Sequence, residues 1–256
     1  MGYIEEFRRL VNIMKELRQK CPWDRKQTPQ SLRQYILEEA YETVEAIDNE
    51  DWEELKKELG DLLLQIIFQA EIAEEEHRFT LEAVIHHINE KLIERHPHVF
   101  GDLQVNSAED VKDNWEQIKY QKENRQSILQ GVPRHLCALL RAQRIQDKAA
   151  HVGFDWENPR EVLQKVYEEL QELEQALESH APEQAENEMG DVLFSLVNLS
   201  RFLKINAEDA LRKTTNKFIA RFQYIEKQLA ARNQDIHNTS LQEMDALWNE
   251  AKKRGL

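Results

Sequence analysis

The residues in this chain best suited to chemistry are acids spaced three apart. Glu39 and Glu42 form one pair and Glu58 and Asp61 another; Glu169 with Glu172 and Glu188 with Asp191 repeat both. Three residues advance a helix by almost one turn, so each pair presents two carboxylates on one face. Two such helices side by side would bring four carboxylates together. A cluster of that kind, partly out of water, either takes up protons or is neutralised by a cation. Hard divalent cations prefer oxygen ligands, and magnesium commonly completes its octahedron with water and substrate phosphates. One Glu-x-x-Glu in an acidic chain reads as solvated surface. Two pairs, both duplicated and both beside an apolar stripe, read as a metal site.

The elements that must hold these acids are themselves repeated. Residues 29–61 and 159–191 align at a constant offset of 130: Thr28-Pro29 with Asn158-Pro159, Glu38-Glu39 and Glu42 with Glu168-Glu169 and Glu172, and Glu58-Leu-Gly60-Asp61 with Glu188-Met-Gly190-Asp191. The glycine match carries weight because the chain has only 7. Thr80, Lys91 and Arg95 then match Asn206, Lys217 and Arg221, and Ser107, Trp115 and Lys119 match Ser240, Trp248 and Lys252. Order is preserved, and the offset changes only where loops are expected, so the chain is a tandem duplication.

Each copy predicts four helices. Thr28 or Asn158 caps the first, with proline at the first helical position, where a missing N–H costs nothing. The second spans Trp52 to about Glu76, or Pro182 to about Leu203, with Leu55, Leu59, Leu62, Ile66 and Ala70 at core spacing. On that spacing Glu58 and Asp61 border the stripe and sit at the rim of the packed seam. Thr80 or Asn206 caps the third helix, and Ser107-x-x-Asp110 or Ser240-x-x-Glu243 opens the fourth as a capping box. A further helix precedes each copy, over 4–19 and 134–150. The expected division is a module over 1–125, a linker over 126–133 around Ser127, Gly131 and Pro133, and a module over 134–256.

Composition agrees. The 7 Gly and 6 Pro in 256 residues are under half of average usage, and charged residues reach 32%, which favours long helices and an all-α fold of two four-helix-bundle-like modules. A net charge of −14 argues against a general nucleic-acid or anionic-membrane binder and suits a binder of cations. Cys21 and Cys137 offer neither a disulfide framework nor paired metal-ligand spacing, Glu5 and Glu6 interrupt any leader-like start, and the apolar run Leu62–Ala70 is too short to span a bilayer. A cytoplasmic protein is the expectation.

Lys217/Arg221 and Lys91/Arg95 are pairs four apart. They suit phosphate oxygens, with arginine giving forked hydrogen bonds; each pair taken alone equally describes a basic face near a helix C-terminus. Trp248 with Lys252, and Trp115 with Lys119, leave two roles open, stacking on a nucleobase or anchoring the last helix.

Together these residues resemble the MazG family of nucleoside triphosphate pyrophosphohydrolases in its two-copy bacterial form, over nearly the whole chain. Cys21-Pro-Trp-Asp24, Leu37-Glu-Glu-Ala-Tyr-Glu42, Glu58-Leu-Gly-Asp61 and Arg95-His-Pro-His-Val-Phe100 look like its first copy. Arg141-Ala-Gln-Arg-Ile-Gln146, Val152-Gly-Phe-Asp-Trp156, Val166-Tyr-Glu-Glu169 and Glu188-Met-Gly-Asp-Val-Leu-Phe194 look like its second. The resemblance implies hydrolysis of nucleoside triphosphates to monophosphate and pyrophosphate, broad tolerance of the base, and a homodimer. It implies magnesium, with manganese able to substitute, held by Glu169, Glu172, Glu188 and Asp191. Lys165, Lys217, Arg221, Trp248 and Lys252 would line the nucleotide site, and the C-terminal copy would be the working one. Asn187, where the first copy has Lys57, departs from the repeat near that site.

In the expected mechanism the cation draws charge from the α-phosphorus, Glu168 takes a proton from water, and Lys217, Arg221 and Lys252 stabilise the leaving pyrophosphate. Other readings remain: a carboxylate-bridged di-iron protein, for which only Glu74-x-x-His77 offers a Glu-x-x-His; a silent helical scaffold; and a pyrophosphatase restricted to dUTP or a phosphoribosyl nucleotide. His96-Pro-His98 has Phe222-Gln-Tyr224 as its counterpart and is expected to be a packed loop rather than a metal site.

Overall fold

The structure, a computed structural model, describes residues 2–105, 107, 111 and 127–256. Among these every regular element is helical. The chain separates into two compact units, Met1–Lys119 and Tyr120–Leu256. The first holds α1 (Tyr3–Lys20), α2 (Pro29–Asp48), α3 (Trp52–Glu75), α4 (Leu81–Arg95) and the single turn α5 (Pro97–Phe100). The second holds α6 (Ala138–His151), α7 (Pro159–Glu178), α8 (Pro182–Phe202), α9 (Ala207–Ala231) and α10 (Leu241–Lys253).

The helix starts follow the expected capping chemistry. Thr28 Oγ1 accepts from Ser31 N at 3.1 Å while Ser31 Oγ accepts from Thr28 N at 2.9 Å. Asn158 Oδ1 accepts from the backbone N–H groups of Arg160 and Glu161 at 3.0 and 3.2 Å. Thr80, Asn206 and Ser240 cap α4, α9 and α10. Truncating Asn158 to alanine exposes two N–H groups of α7 and should cost about 1 kcal/mol. A melt lowered by roughly 2–4 °C checks this. The duplication extends to the backbone: the α2–α3 and α7–α8 turns each pass through a left-handed residue, Glu50 (φ 54°) and His180 (φ 55°). His77 (φ 55°) and Lys204 (φ 58°) do the same after α3 and α8.

In the first unit α2 pairs with α3, and α1 packs on α3 around Met14, Leu32, Ile67, Phe68 and Ile72. In the second, α7 pairs with α8 over Val162, Val166, Leu173, Val192 and Val197. There α6 packs on α8 and α9, and α9 joins α10 through Ile225, Leu229 and Leu247.

Two expectations change. The helix ahead of the second copy begins at Ala138 rather than 134, because the chain turns at Pro133–Leu136 and Cys137 is extended. Pro97 opens the turn α5, so Pro97 and His98 are helical and only His96 lies between helices; His96 Nδ1 lies 2.6 Å from Leu92 O and its ring 5.6 Å from that of His98. Asp110, Trp115 and Lys119 fall outside the described residues. No described helix is long and apolar enough to cross a membrane.

Candidate functional site

Short turns at 49–51 and 179–181 make α2/α3 and α7/α8 antiparallel neighbours, so acids on facing stretches converge. In the second unit Glu169, Glu172 and Glu188 each offer a carboxylate oxygen within 4.8 Å of the other two. Glu169 is buried, and Glu172 and Glu188 are half-buried. Asp191 stays outside this group, exposed on α8. In the first unit the group is Glu39, Glu58 and Asp61. Its outlier, Glu42, still lies close enough to Glu58 to raise that group's pKa. Each copy thus gathers three of its four repeated acids, and not the same three.

Burial, then repulsion from Glu169 and Glu188, pushes up the pKa of Glu172. Burial, then Asp61 and Glu42, does the same to Glu39. A raised carboxyl pKa means the folded site favours the protonated form. Its contribution to stability is whole below an ordinary glutamate's 4.5 and is lost as pH rises through the higher folded value. A cation must displace those protons. Magnesium should therefore raise the melting temperature more at about pH 8 than at about pH 5, and a shift independent of pH in paired thermal melts would contradict the picture.

The Lys165 ammonium lies 2.7 Å from both Glu168 Oε1 and Glu169 Oε1, and hydrogen bonds to these two acids push its pKa up. The sequence marked Lys165 as a substrate contact; in this structure its ammonium is paired with Glu169 of the cluster and with Glu168 beside it. Glu168 is exposed and shares the same ammonium.

The other residues expected to line a nucleotide site lie on another helix pair, α9–α10. The Arg221 guanidinium sits 5.4 Å over the Trp248 ring, and its Nε donates to Leu256 O at 2.7 Å. Phe218 lies 5.1 Å from Trp248 and stacks on Phe222. Lys217 and Lys252 are exposed on the same two helices. Trp248 therefore does pack at the base of α10, beside Leu247 and Ile225, while its ring also carries a cation.

The stripe expected to form the packed seam is buried only in part: Ala70 is buried and Leu55 and Leu62 are half-buried. Leu59 and Ile66 are 51% and 48% exposed, whereas Glu58 and Gln65, seven apart, are buried with Ile67, Phe68 and Ile72. Glu58 thus lies inside the seam rather than at its rim, and Asp61 lies outside it. At the matching positions of α8, Met189, Leu193 and Leu196 are likewise exposed. These helices are apolar on two faces, and each module covers only one. Among the described residues a Cβ added at Gly60 or Gly190 would meet nothing within 4 Å. The Glu74-x-x-His77 reading fails on geometry, since His77 lies beyond the end of α3 in a left-handed conformation.

Two segments, 27–100 and 157–225, match the model of the MazG nucleotide pyrophosphohydrolase domain. The chain is similar to the nucleoside triphosphate pyrophosphohydrolase/pyrophosphatase MazG of Thermotoga maritima, 46% identical over 96% of this chain and 95% of that protein. It is similar also to the nucleoside triphosphate pyrophosphohydrolase of Escherichia coli K12, 43% identical over 96% and 97%. A solved structure of a mazG-related protein from Thermotoga maritima covers 44% of this chain and 97% of its own, at 29% identity and a TM-score of 0.40.

Proposed function

The chain belongs to the MazG nucleotide pyrophosphohydrolase family, and from that premise we propose that it hydrolyses nucleoside triphosphates to the monophosphate and pyrophosphate at the Glu169–Glu172–Glu188 cluster. The observation that carries the reading is the convergence of three carboxylates from two helices, partly out of water and mutually repelling. An all-oxygen donor set of this charge fits a hard divalent cation, and magnesium is the ion proposed, with manganese as its substitute. Glu169, Glu172 and Glu188 would hold it, with Asp191 the proposed fourth ligand. A magnesium ion held by these residues would supply positive charge to the phosphates and would make the α-phosphorus more electrophilic.

The chain's own residues do the rest. Glu168, adjoining the ligand Glu169, is the proposed acceptor of the proton from water. Lys165 holds the acids in place now, and neutralisation of Glu169 frees its ammonium to meet a phosphate. Arg221, Lys217 and Lys252 form the basic side that meets the leaving pyrophosphate. Trp248 offers a ring face to the nucleobase; every base has a π-face, so this contact supports broad tolerance of the base. The second module is the proposed working copy because Tyr35 stands in the first where Lys165 stands in the second.

The exposed stripe of Met189, Leu193 and Leu196, with Gly190 beside it, supports a homodimer in which a partner helix covers this face. The activity is tested by product analysis with mixed triphosphates and magnesium. Monophosphate and pyrophosphate in equal amounts are expected. Diphosphate and orthophosphate, or no turnover of any base, would overturn the assignment.

A further inference from the structure

We propose that Tyr224, acting through Glu250, fixes the rotation of α10 about its own axis and thereby positions Trp248 and Lys252 for the triphosphate. This role presupposes the hydrolase reading of those two residues. Tyr224 is only 9% exposed, and its hydroxyl donates to Glu250 Oε1 at 2.6 Å, from α9 to α10. The same oxygen accepts from Arg254 Nη2 at 2.7 Å, and the Arg254 guanidinium lies 5.1 Å over the Tyr224 ring. The three side chains close a loop in which each touches the other two. Bonds from Tyr224 and then Arg254 hold the Glu250 carboxyl below its usual 4.5, so it stays an anionic acceptor.

What this loop restrains follows from helix geometry. The buried Leu247 and Ala251 form one row of α10, with Trp248 and Lys252 on one side of it and Glu250 and Arg254 on the other. Packing of Leu247 on Ile225 and Leu229 is non-directional, and α10 has only 13 residues with which to hold its angle. A hydrogen bond is directional. A helix is about 10–12 Å across with its side chains, so a turn of roughly 20° carries a side-chain head about 2 Å. Misplacement on the order of 1 Å can cost about 100-fold at a reacting site. The first module is built differently at the matching place. There α4 has 15 residues where α9 has 25, and His98, the counterpart of Tyr224, lies in the turn α5. Tyr224 sits in the part of α9 that continues past the end of α4.

The probe is magnesium with α,β-methylene-ATP, in which carbon replaces the oxygen bridging the first two phosphorus atoms and blocks pyrophosphate release. Its dissociation constant is read by titration calorimetry on the full chain. Tyr224→Phe removes one oxygen and should weaken binding by about 5- to 20-fold. In a chain already carrying Trp248→Leu and Lys252→Met, the same change should cost under about twofold, because the groups it positions are gone. A change that merely loosened the fold would cost the same in both backgrounds. Glu250→Gln, whose amide oxygen still accepts from Tyr224, should bind within about threefold of the parent. Glu250→Leu should match Tyr224→Phe. Circular dichroism reports folding; if Tyr224→Phe does not fold, the two Glu250 variants decide. Unchanged binding in Tyr224→Phe, an equal loss in the doubly substituted background, or Glu250→Gln as weak as Glu250→Leu would each overturn the proposal. A parent that binds the analogue yet releases no pyrophosphate from ATP would overturn hydrolysis alone, and a parent that does not bind it would overturn both.

Discussion

Replacing Glu172 with glutamine should cut magnesium-dependent pyrophosphate release by about 10²- to 10³-fold or more while leaving the fold intact. The two side chains have the same shape, so packing on α7 is preserved. What disappears is one negative charge in a group whose oxygens lie within 4.8 Å of each other. That charge is unfavourable to the folded chain without a cation, because burial and the neighbouring Glu169 and Glu188 already push its pKa up. In chelator at neutral pH, the variant should therefore melt no lower than the parent. The combination matters: a destabilised variant loses activity for trivial reasons, whereas one equally stable and inactive has lost a ligand. Turnover close to the parent's, measured as pyrophosphate released from mixed triphosphates, would remove Glu172 from the site.

A second substitution, Leu193→Glu, should convert the proposed homodimer to monomer. Leu193 is 48% exposed in the single chain, with Met189 and Leu196 one turn to either side, and Tyr167 and Leu170 exposed on α7. Exposed apolar residues of this kind on an otherwise strongly charged chain suit the proposed interface. In a two-fold dimer the change is made twice, and an unpaired carboxylate buried in an apolar contact costs several kcal/mol at each place. Gly190 strengthens the expectation. It removes about 0.5–1 kcal/mol of helix stability relative to alanine, and the chain itself has room for the missing methyl. Close approach of another helix would give it a purpose. Light scattering after size exclusion reads the outcome, and a dimer that survives the substitution would move the interface off this stripe.

Much of the architecture was legible beforehand because it rests on local chemistry. The caps at Thr28, Thr80, Asn158, Asn206 and Ser240 need only a side-chain oxygen two or three residues before a free N–H, which a spacing displays directly. The duplication was equally plain, and it held down to the left-handed residues Glu50 and His180 that close each hairpin. The acids that would meet were identified as pairs, since a helix puts residues three apart on one face.

Less visible was which face each helix would bury. The pattern along α3 fits two apolar stripes, one through Leu59 and Ile66 and one through Ile67, Phe68 and Ile72. Periodicity gives the angle between residues but not the direction of the neighbouring helix. Only packing decided that Glu58 and Gln65 turn inward while Leu59 turns out. Nothing local in the sequence says that Gln65 is buried.

The sequence by itself determined the helices, their caps, the repeat and the acids available for a cation, because each depends on residues a few positions apart. Tertiary structure alone decided which three of four acids converge, that Lys165 pairs with Glu169 of the second cluster, and which apolar residues stay uncovered. Those outcomes depend on how helices distant in sequence are rotated against one another, and burial and electrostatic repulsion act across that distance.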